Sequence, residues 1–404
     1  MGFAGGFTLG MVQAGFELAG KRELPGGFGA SNCLANRDLL GDEWELEVGP
    51  GETWTPVQAD AVFGNPPCSG FSVMTAQAHR GIDAKINACM WHFSNYVARV
   101  KPQISIMESV RMAYTTGRPL MQQLRANVEL QTGLKYNLIH VYQNALELGG
   151  AAHRPRYFSV MARVPFGVEY PNVRTPVLRD VIEDLEGLDL TWEPQPYRRP
   201  PTWWSKPSRS DTGIVDGHMV SRSPVVTRAL DLLEANGGWP QGKAVGKVLE
   251  AYYKEHGTLP NSWLYQKDRL VARDFFMGFT TMVRWREDRP ARVITGAALQ
   301  SVLHPWLDRT ITHRETARIM GFPDDWKIKP IAGNGTAPTW GKGITVQCGK
   351  WIGDWTRRSI DGEPGSNQGM RIGDREYFIE ATPRVWKASV PEPDVDLDPL
   401  VIGG

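Results

Sequence analysis

The chain is 404 residues long, with 41% hydrophobic and 22% charged residues and a formal net charge of +1, a balance that excludes a disordered or fibrous protein and leaves room for two domains plus an appendage. No basic segment precedes an apolar run at the N-terminus and no stretch of about 18 apolar residues occurs, so neither export nor membrane spanning is expected. The four cysteines are widely spaced, which fits a reducing cytoplasm and predicts no disulfide framework and no metal site.

The opening residues, Met1-Gly2-Phe3-Ala4-Gly5-Gly6-Phe7-Thr8-Leu9-Gly10, combine glycines with an apolar helical spacing that runs on through Met11, Val12 and Phe16. Glycines let a backbone approach a ligand closely, so this stretch predicts the turn and first helix of a nucleotide-binding α/β unit. Glu23 stands near the position where such units set an acid against ribose hydroxyls. Asp60-Ala61-Val62-Phe63 predicts a short buried strand. The loop after it, Gly64-Asn65-Pro66-Pro67-Cys68-Ser69-Gly70-Phe71-Ser72, freezes the backbone ahead of a lone cysteine. On so rigid a loop Cys68 reads as a nucleophile, against the ordinary alternative of a small buried core residue.

Helical patterning is expected over 82–100, and Ile104-Ser105-Ile106-Met107 predicts a strand ending at Glu108. Ser159-Val160-Met161-Ala162 closes the α/β region as a strand preceded by Arg154 and Arg156. From about residue 165 prolines, tryptophans and arginines become dense and predict a second domain. There, Arg198, Arg199, Lys206, Arg209 and Arg222 lie among Tyr197, Trp203 and Trp204. Such a mixture suits phosphates and bases, and equally suits a solvated face edged by long side chains. Regular patterning returns near His304, with Thr312 and Glu315 forming a capping box for a helix. After about residue 358 the periodicity fades into an acidic tail carrying Pro391, Pro393, Asp394, Asp396 and Asp398, expected to be loosely attached.

These pieces, in this order, resemble the C5-cytosine DNA methyltransferases. The glycine turn at 3–10 is similar to that family's first motif, Gly64 to Ser72 to its catalytic loop, Glu108-Ser109-Val110 to its Glu-Asn-Val motif, and residues 144–158 to its arginine motif. Arg309 through Asp325 resembles the helix and turn after the family's variable recognition domain, and Gly341-Lys342-Gly343-Ile344 its last motif. The resemblance covers roughly residues 1–165 and 290–358. It implies a Rossmann-like α/β fold, a mostly parallel sheet of the S-adenosyl-L-methionine-dependent methyltransferase type with a smaller inserted target-recognition domain. The expected division is a catalytic domain over 1–164 and 304–358, a recognition domain over 165–303, and a tail over 359–404.

The same resemblance implies the chemistry. Cytosine C5 is a poor nucleophile, so Cys68 would add first at C6 while Glu108 supplies a proton or hydrogen bond at N3, with Arg154 and Arg156 anchoring the base, its O2 and the loop. A base inside a stacked duplex cannot be reached this way and must be flipped out of double-stranded DNA. Phe3, Gly5, Gly6, Phe7, Thr8, Leu9, Glu23, Leu24, Pro67, Lys342, Gly343 and Ile344 would contact the donor, by a monomer acting in the cytoplasm of a bacterial or phage-infected cell.

Four departures qualify the likeness. The strand that normally precedes the glycine turn is missing, which leaves the sheet one strand short or points to lost upstream residues. Ser109 and Ala152 replace an asparagine and a glutamine, and Asn65-Pro66-Pro67 also resembles the amino-methyltransferase loop, although here a cysteine follows. Most consequential is Lys342 in place of an asparagine, in a register favoured over Gly333-Asn334-Gly335 by the apolar Ile344, Val346, Trp351 and Ile352 that follow. An ammonium beside a sulfonium disfavours S-adenosyl-L-methionine and would favour carboxy-S-adenosyl-L-methionine, whose transferred carbon bears a carboxylate, unless Lys342 contacts DNA or solvent. A DNA-binding protein that has lost catalysis is the alternative from another class.

Overall fold

The computed structural model describes residues 4–25, 29–71, 79, 81–185, 212–215, 218–221, 224–261, 263, 283–294, 302–327, 340–341 and 343–381. In chain order the first half contains α1 (Gly6–Gln13), β1 (Gly20–Glu23), α2 (Gly29–Ala35), α3 (Arg37–Leu40), β2 (Glu45–Val48), β3 (Ala61–Gly64), α4 (Ala88–Val100), β4 (Ile104–Ser109), α5 (Met112–Thr115), α6 (Arg118–Thr132), β5 (Asn137–Asn144) and β6 (Pro155–Ala162). Then follow α7 (Leu178–Ile182), β7 (Thr212–Val215), β8 (His218–Ser221), α8 (Pro224–Ala235), α9 (Val245–His256), β9 (Val283–Arg284), β10 (Val302–Leu303), α10 (His313–Ile319), α11 (Val346–Ile360), β11 (Met370–Gly373) and β12 (Glu376–Glu380). None of the described helices is long and apolar enough to cross a membrane.

The central sheet has six strands in the order β11-β12-β5-β6-β4-β3. β4 alternates Ile104, Ile106 and Glu108 on one face with Ser105, Met107 and Ser109 on the other, as the period of two in a strand requires. On the first face Ile104, Ile106, Ile139, Val141, Phe158 and Val160 meet Phe7 and Met11 of α1 and Ile352 and Trp355 of α11. On the second, Met107, Leu138, Tyr157 and Met161 meet Met90 and Val97 of α4 and Leu120, Met121, Leu124 and Val128 of α6. α4 turns Met90, Ser94, Val97 and Ala98 inward, the spacing of one helical face.

α1 and α11 cross so closely that their backbones nearly touch. A Cβ on Gly349 would lie 2.8 Å from the Gly6 carbonyl oxygen, and one on Gly10 would lie 2.7 Å from Gly349 Cα. The glycines therefore fix the height of α1 over the sheet, and with it the ceiling of the site.

Two expectations are corrected. The sheet is mixed rather than mostly parallel, because β6 runs antiparallel to both β4 and β5, and β11 antiparallel to β12; β3, β4, β5 and β12 still share one direction. β1 and β2 form a separate parallel pair that does not hydrogen-bond to β3 among the described residues. The residues from 359 are not a loose tail throughout, since β12 pairs in parallel with β5 from Glu376 to Glu380; residues 382–404 lie outside the described residues.

The edges of the inserted region also belong to the main body. Leu178, Ile182, Leu185, Val283, Trp285, Ala291 and Ile294 share a core with Ala4, Leu9 and Trp44. A satellite core forms around α8 and α9 from residues such as Leu232, Trp239, Leu249 and Trp263. The arginine and tryptophan cluster at 197–209 lies outside the described residues.

Candidate active site

Cys68 follows β3 at the end of the Asn65-Pro66-Pro67 loop, and Phe71 N donates to its carbonyl oxygen at 2.9 Å, closing a tight turn. Gly70 has no room for a side chain, because a Cβ would meet Asn87 Oδ1, and Asn87 Nδ2 in turn donates to the carbonyls of Gly81 and Ile82. The turn is thus braced against the start of α4. Burial pushes the Cys68 thiol up and the Glu108 charge adds to this, while Arg156 and then Arg154 pull it down.

Glu108 is the last residue of β4 on the Ile104–Ile106 face, and Arg156 sits beside it on β6, diagonal across the Glu108–Phe158 pair. Arg156 Nε stands 2.7 Å from Glu108 Oε1. Burial, opposed by Arg156 and Arg154 and by hydrogen bonds from Arg156 and Asn65, leaves the Glu108 carboxyl pushed up to about 7. A carboxyl poised there can hold or release a proton near neutrality. Cys68, Glu108 and Arg156 are therefore brought into one electrostatic neighbourhood.

Arg154 does something else. It is buried, and its guanidinium is spent on main-chain oxygens: Nε donates to Gly343 O at 3.1 Å, Nη1 to Ile294 O at 2.8 Å, and Nη2 to both Gly341 O and Gly343 O. Arg156 Nη2 reaches the same Gly343 oxygen at 3.3 Å. Of the two arginines expected to anchor the base, its O2 and the loop, Arg154 thus has its described hydrogen bonds to main-chain oxygens.

Beside this group lies a cleft of about 1030 Å³ lined by Phe7 and Thr8 of α1, Lys21 and Arg22 of β1, Trp44, Phe63 to Pro66, and Tyr96. Its volume is at the upper end of small-molecule sites, roughly 300–1,000 Å³, and suits a nucleoside-sized donor. The Gly5-Gly6 turn, expected among the donor contacts, is not in the cleft lining and is close-packed elsewhere: Gly5 has φ 97°, its missing Cβ would strike Trp326, and that of Gly6 would strike the Ile344 carbonyl; Gly343 does not line the cleft either. Trp326 Nε1 donates to Ala4 O at 3.1 Å and seats the turn.

Not every expected donor contact is in the lining. Glu23 is buried at the end of β1 and neither it nor Leu24 faces the cleft; Leu9 and Ile344 pack into the core, and Pro66 rather than Pro67 borders the space. Phe3 and Lys342 lie outside the described residues. Conversely Asn65, Lys21, Arg22, Trp44 and Tyr96 were not anticipated; only Asn65 had a signal, its place in the cysteine loop.

The mixed α/β sheet, with Cys68, a raised carboxyl and a cleft of about 1030 Å³ beside the ends of β3 and β4, is the architecture of the methyltransferase class. Over residues 2–355 the chain matches the family described as C-5 cytosine-specific DNA methylase, and it belongs to that family. It is similar to the type II methyltransferase M.XorII of Xanthomonas oryzae pv. oryzae, with 28% identity over 196 residues, 46% of this chain and 44% of that protein. The chain thus spans under half the length of that relative. With M.NgoPII of Neisseria gonorrhoeae it shares 26% identity over 336 residues, 80% and 84% of the two chains. A solved DNA modification methyltransferase encoded within a prophage (E. coli) has the same fold, with a TM-score of 0.53 and 14% identity, covering 89% of this chain and 97% of that one.

Proposed function

We propose that the protein alkylates C5 of a cytosine flipped out of double-stranded DNA, through a transient bond between Cys68 and C6. The carrying observation is that Cys68 feels the charges of Glu108 and Arg156, themselves 2.7 Å apart, beside a cleft that fits the donor. Cys68, as thiolate, adds to C6, and Glu108 gives a proton to N3 so that the ring electrons are available at C5. Arg156 holds the Glu108 carboxyl in place and stabilises charge at the ring's edge. When bound, a sulfonium donor of the S-adenosyl-L-methionine type supplies the electrophilic carbon that C5 takes. The C5 proton then passes to solvent as the C6–S bond breaks and Cys68 leaves as thiolate, and N3 returns its proton to Glu108, which restores the aromatic ring and the acid. The region inserted between residues 185 and 283 is assigned the reading of flanking sequence.

The test is covalent trapping on a duplex carrying 5-fluorocytosine with donor present. A denaturation-stable adduct that disappears in Cys68→Ala supports the assignment; affinity for the duplex with no adduct in the unaltered protein means a DNA-binding protein that has lost catalysis, and overturns it.

A second reading concerns the donor and is favoured by Lys342. Arg154 donates to the carbonyl oxygens of Gly341 and Gly343, the residues before and after it in the sequence; Lys342 itself lies outside the described residues. An ammonium about 5 Å from a sulfonium costs on the order of 3 kcal/mol at an effective dielectric near 20, whereas a carboxylate on the transferred carbon turns the repulsion into attraction. Carboxy-S-adenosyl-L-methionine is such a donor, and the product would be 5-carboxymethylcytosine. Mass spectrometry of nucleosides after reaction with each donor decides: a preference for S-adenosyl-L-methionine that Lys342→Asn leaves unchanged rules the carboxylated donor out.

A further inference from the structure

A buried arginine whose hydrogen bonds among the described residues go to carbonyls is an unusual investment. Moving a cation out of water is costly, and neutral peptide oxygens compensate it less completely than a carboxylate does. The return is geometric. Three carbonyl dipoles aimed at one point repel each other, and a cation at that point makes their convergence favourable. Here the three oxygens come from Gly341, Gly343 and Ile294.

Those residues belong to different parts of the chain. Gly341 and Gly343 flank Lys342 ahead of α11, whose glycines pack on α1. Ile294 lies where the inserted region returns to the main body, a return stitched by Ala291 N to Ala151 O at 2.7 Å and His153 N to Ala291 O at 2.8 Å. Arg154 itself is fixed at its main chain, its N donating to Asn144 Oδ1 at 2.9 Å. One guanidinium thus joins the arginine strand, the insert's return and the segment at 341–343.

We propose that Arg154 is a positioning residue for the donor side of the site: it makes no contact with the base, and it holds Gly341 and Gly343 beside the Ile344 carbonyl on which Gly6 packs, and so the start of α1, whose Phe7 and Thr8 line the cleft. The base-side work falls to Arg156, which reaches Glu108. This rests on the reading above for the location of the donor. Lysine cannot replace Arg154, because one ammonium on a flexible stem cannot satisfy the diverging directions that a planar fork serves.

The experiment compares the full chain with Arg154→Lys, Arg154→Gln and Arg156→Lys by two readouts. The first is the Kd for S-adenosylhomocysteine by calorimetry. The second is formation of a covalent adduct, without donor, on a duplex carrying 2-pyrimidinone, a base whose C6 accepts a thiolate readily. Arg154→Lys is expected to weaken S-adenosylhomocysteine binding by about tenfold or more while adduct formation stays within about threefold, and Arg156→Lys to show the reverse pattern. Unchanged affinity in Arg154→Lys, or loss of the adduct with affinity retained, overturns the proposal. Should both Arg154 variants fail to fold, the Nε–H resonance of Arg154 in the unaltered protein decides: a shift on adding the 2-pyrimidinone duplex alone means base contact and overturns it, and a shift on adding S-adenosylhomocysteine alone supports it. If the unaltered protein forms no adduct, the nucleophile reading has failed, while the affinity comparison still tests Arg154.

Discussion

Glu108 and Arg156 meet as neighbours on adjacent antiparallel strands, with Nε 2.7 Å from Oε1, yet burial still leaves the carboxyl near neutrality rather than in its ordinary acidic range. The pair thus orients an acid without permanently ionising it. The Cys68 thiol is pushed up by burial and by the same carboxylate, so the two groups titrate in the order opposite to the one the proposed mechanism needs.

The pH profile of adduct formation should show this inversion. With Glu108 near 7 and Cys68 above its usual range, the productive form, protonated Glu108 with ionised Cys68, grows as pH rises to about 7, then holds level, and declines only past the thiol's own titration. In Glu108→Gln the level stretch should vanish, with the rate lowered by about a hundredfold or more and climbing until the thiol ionises. Rapid-quench measurement of adduct from pH 5.5 to 10 checks both curves.

Gly349→Ala should separate α1 from α11. Its Cβ would lie 2.8 Å from Gly6 O and 3.2 Å from Phe7 Cα, contacts that only a backbone shift relieves. A cost of about 1–3 kcal/mol is expected, together with weaker donor binding because Phe7 and Thr8 line the cleft. Urea unfolding and calorimetry measure the two effects.

Glu376 anchors β12 by accepting from Arg118 Nε at 2.8 Å and Gln122 Nε2 at 2.8 Å, with His140 Nε2 also at 2.8 Å. These partners hold its carboxyl down to about 2 despite burial. Its stabilising contribution is complete above the ordinary glutamate range and fades as pH falls toward 2. Glu376→Ala should cost about 1–3 kcal/mol at pH 7 through loss of its bonds from Arg118, Gln122 and His140, and should flatten the acid limb of the stability curve. The urea midpoint between pH 7 and 2.5, in both proteins, is the measurement.

Thr312→Ala should destabilise by about 1 kcal/mol, and Thr312→Ser by much less. Glu315 N donates to Thr312 Oγ1 at 3.1 Å while Thr312 N donates to Glu315 Oε2 at 2.8 Å, so the hydroxyl is half of a reciprocal cap. Chemical denaturation of both variants tests it.

Local signals in the sequence were readable where they reported on local structure. The apolar alternation at 104–107 marked β4, the Thr312–Glu315 spacing marked the start of α10, and the proline pair marked a stiff loop at Cys68. What stayed hidden depended on distant chain. Met370 to Glu380 is short and half exposed, and becomes a hairpin of the sheet only because β5, more than 200 residues earlier, offers an edge. Leu178, Ile182 and Trp285 sit in a stretch rich in proline and arginine, and composition cannot reveal that they share a core with Ala4 and Trp44. The division of labour between Arg154 and Arg156 was equally invisible, since the two residues are chemically identical and differ only in which atoms the fold brings to them.

A main-chain oxygen looks the same whichever amino acid carries it. The hydrogen bonds across the seam at the end of the insert run through the Ile294 carbonyl and through the peptide groups of Ala291, Ala151 and His153. Those hydrogen bonds ask for a backbone path rather than for particular side chains, so the intervening stretch can vary in sequence while the seam keeps its polar partners.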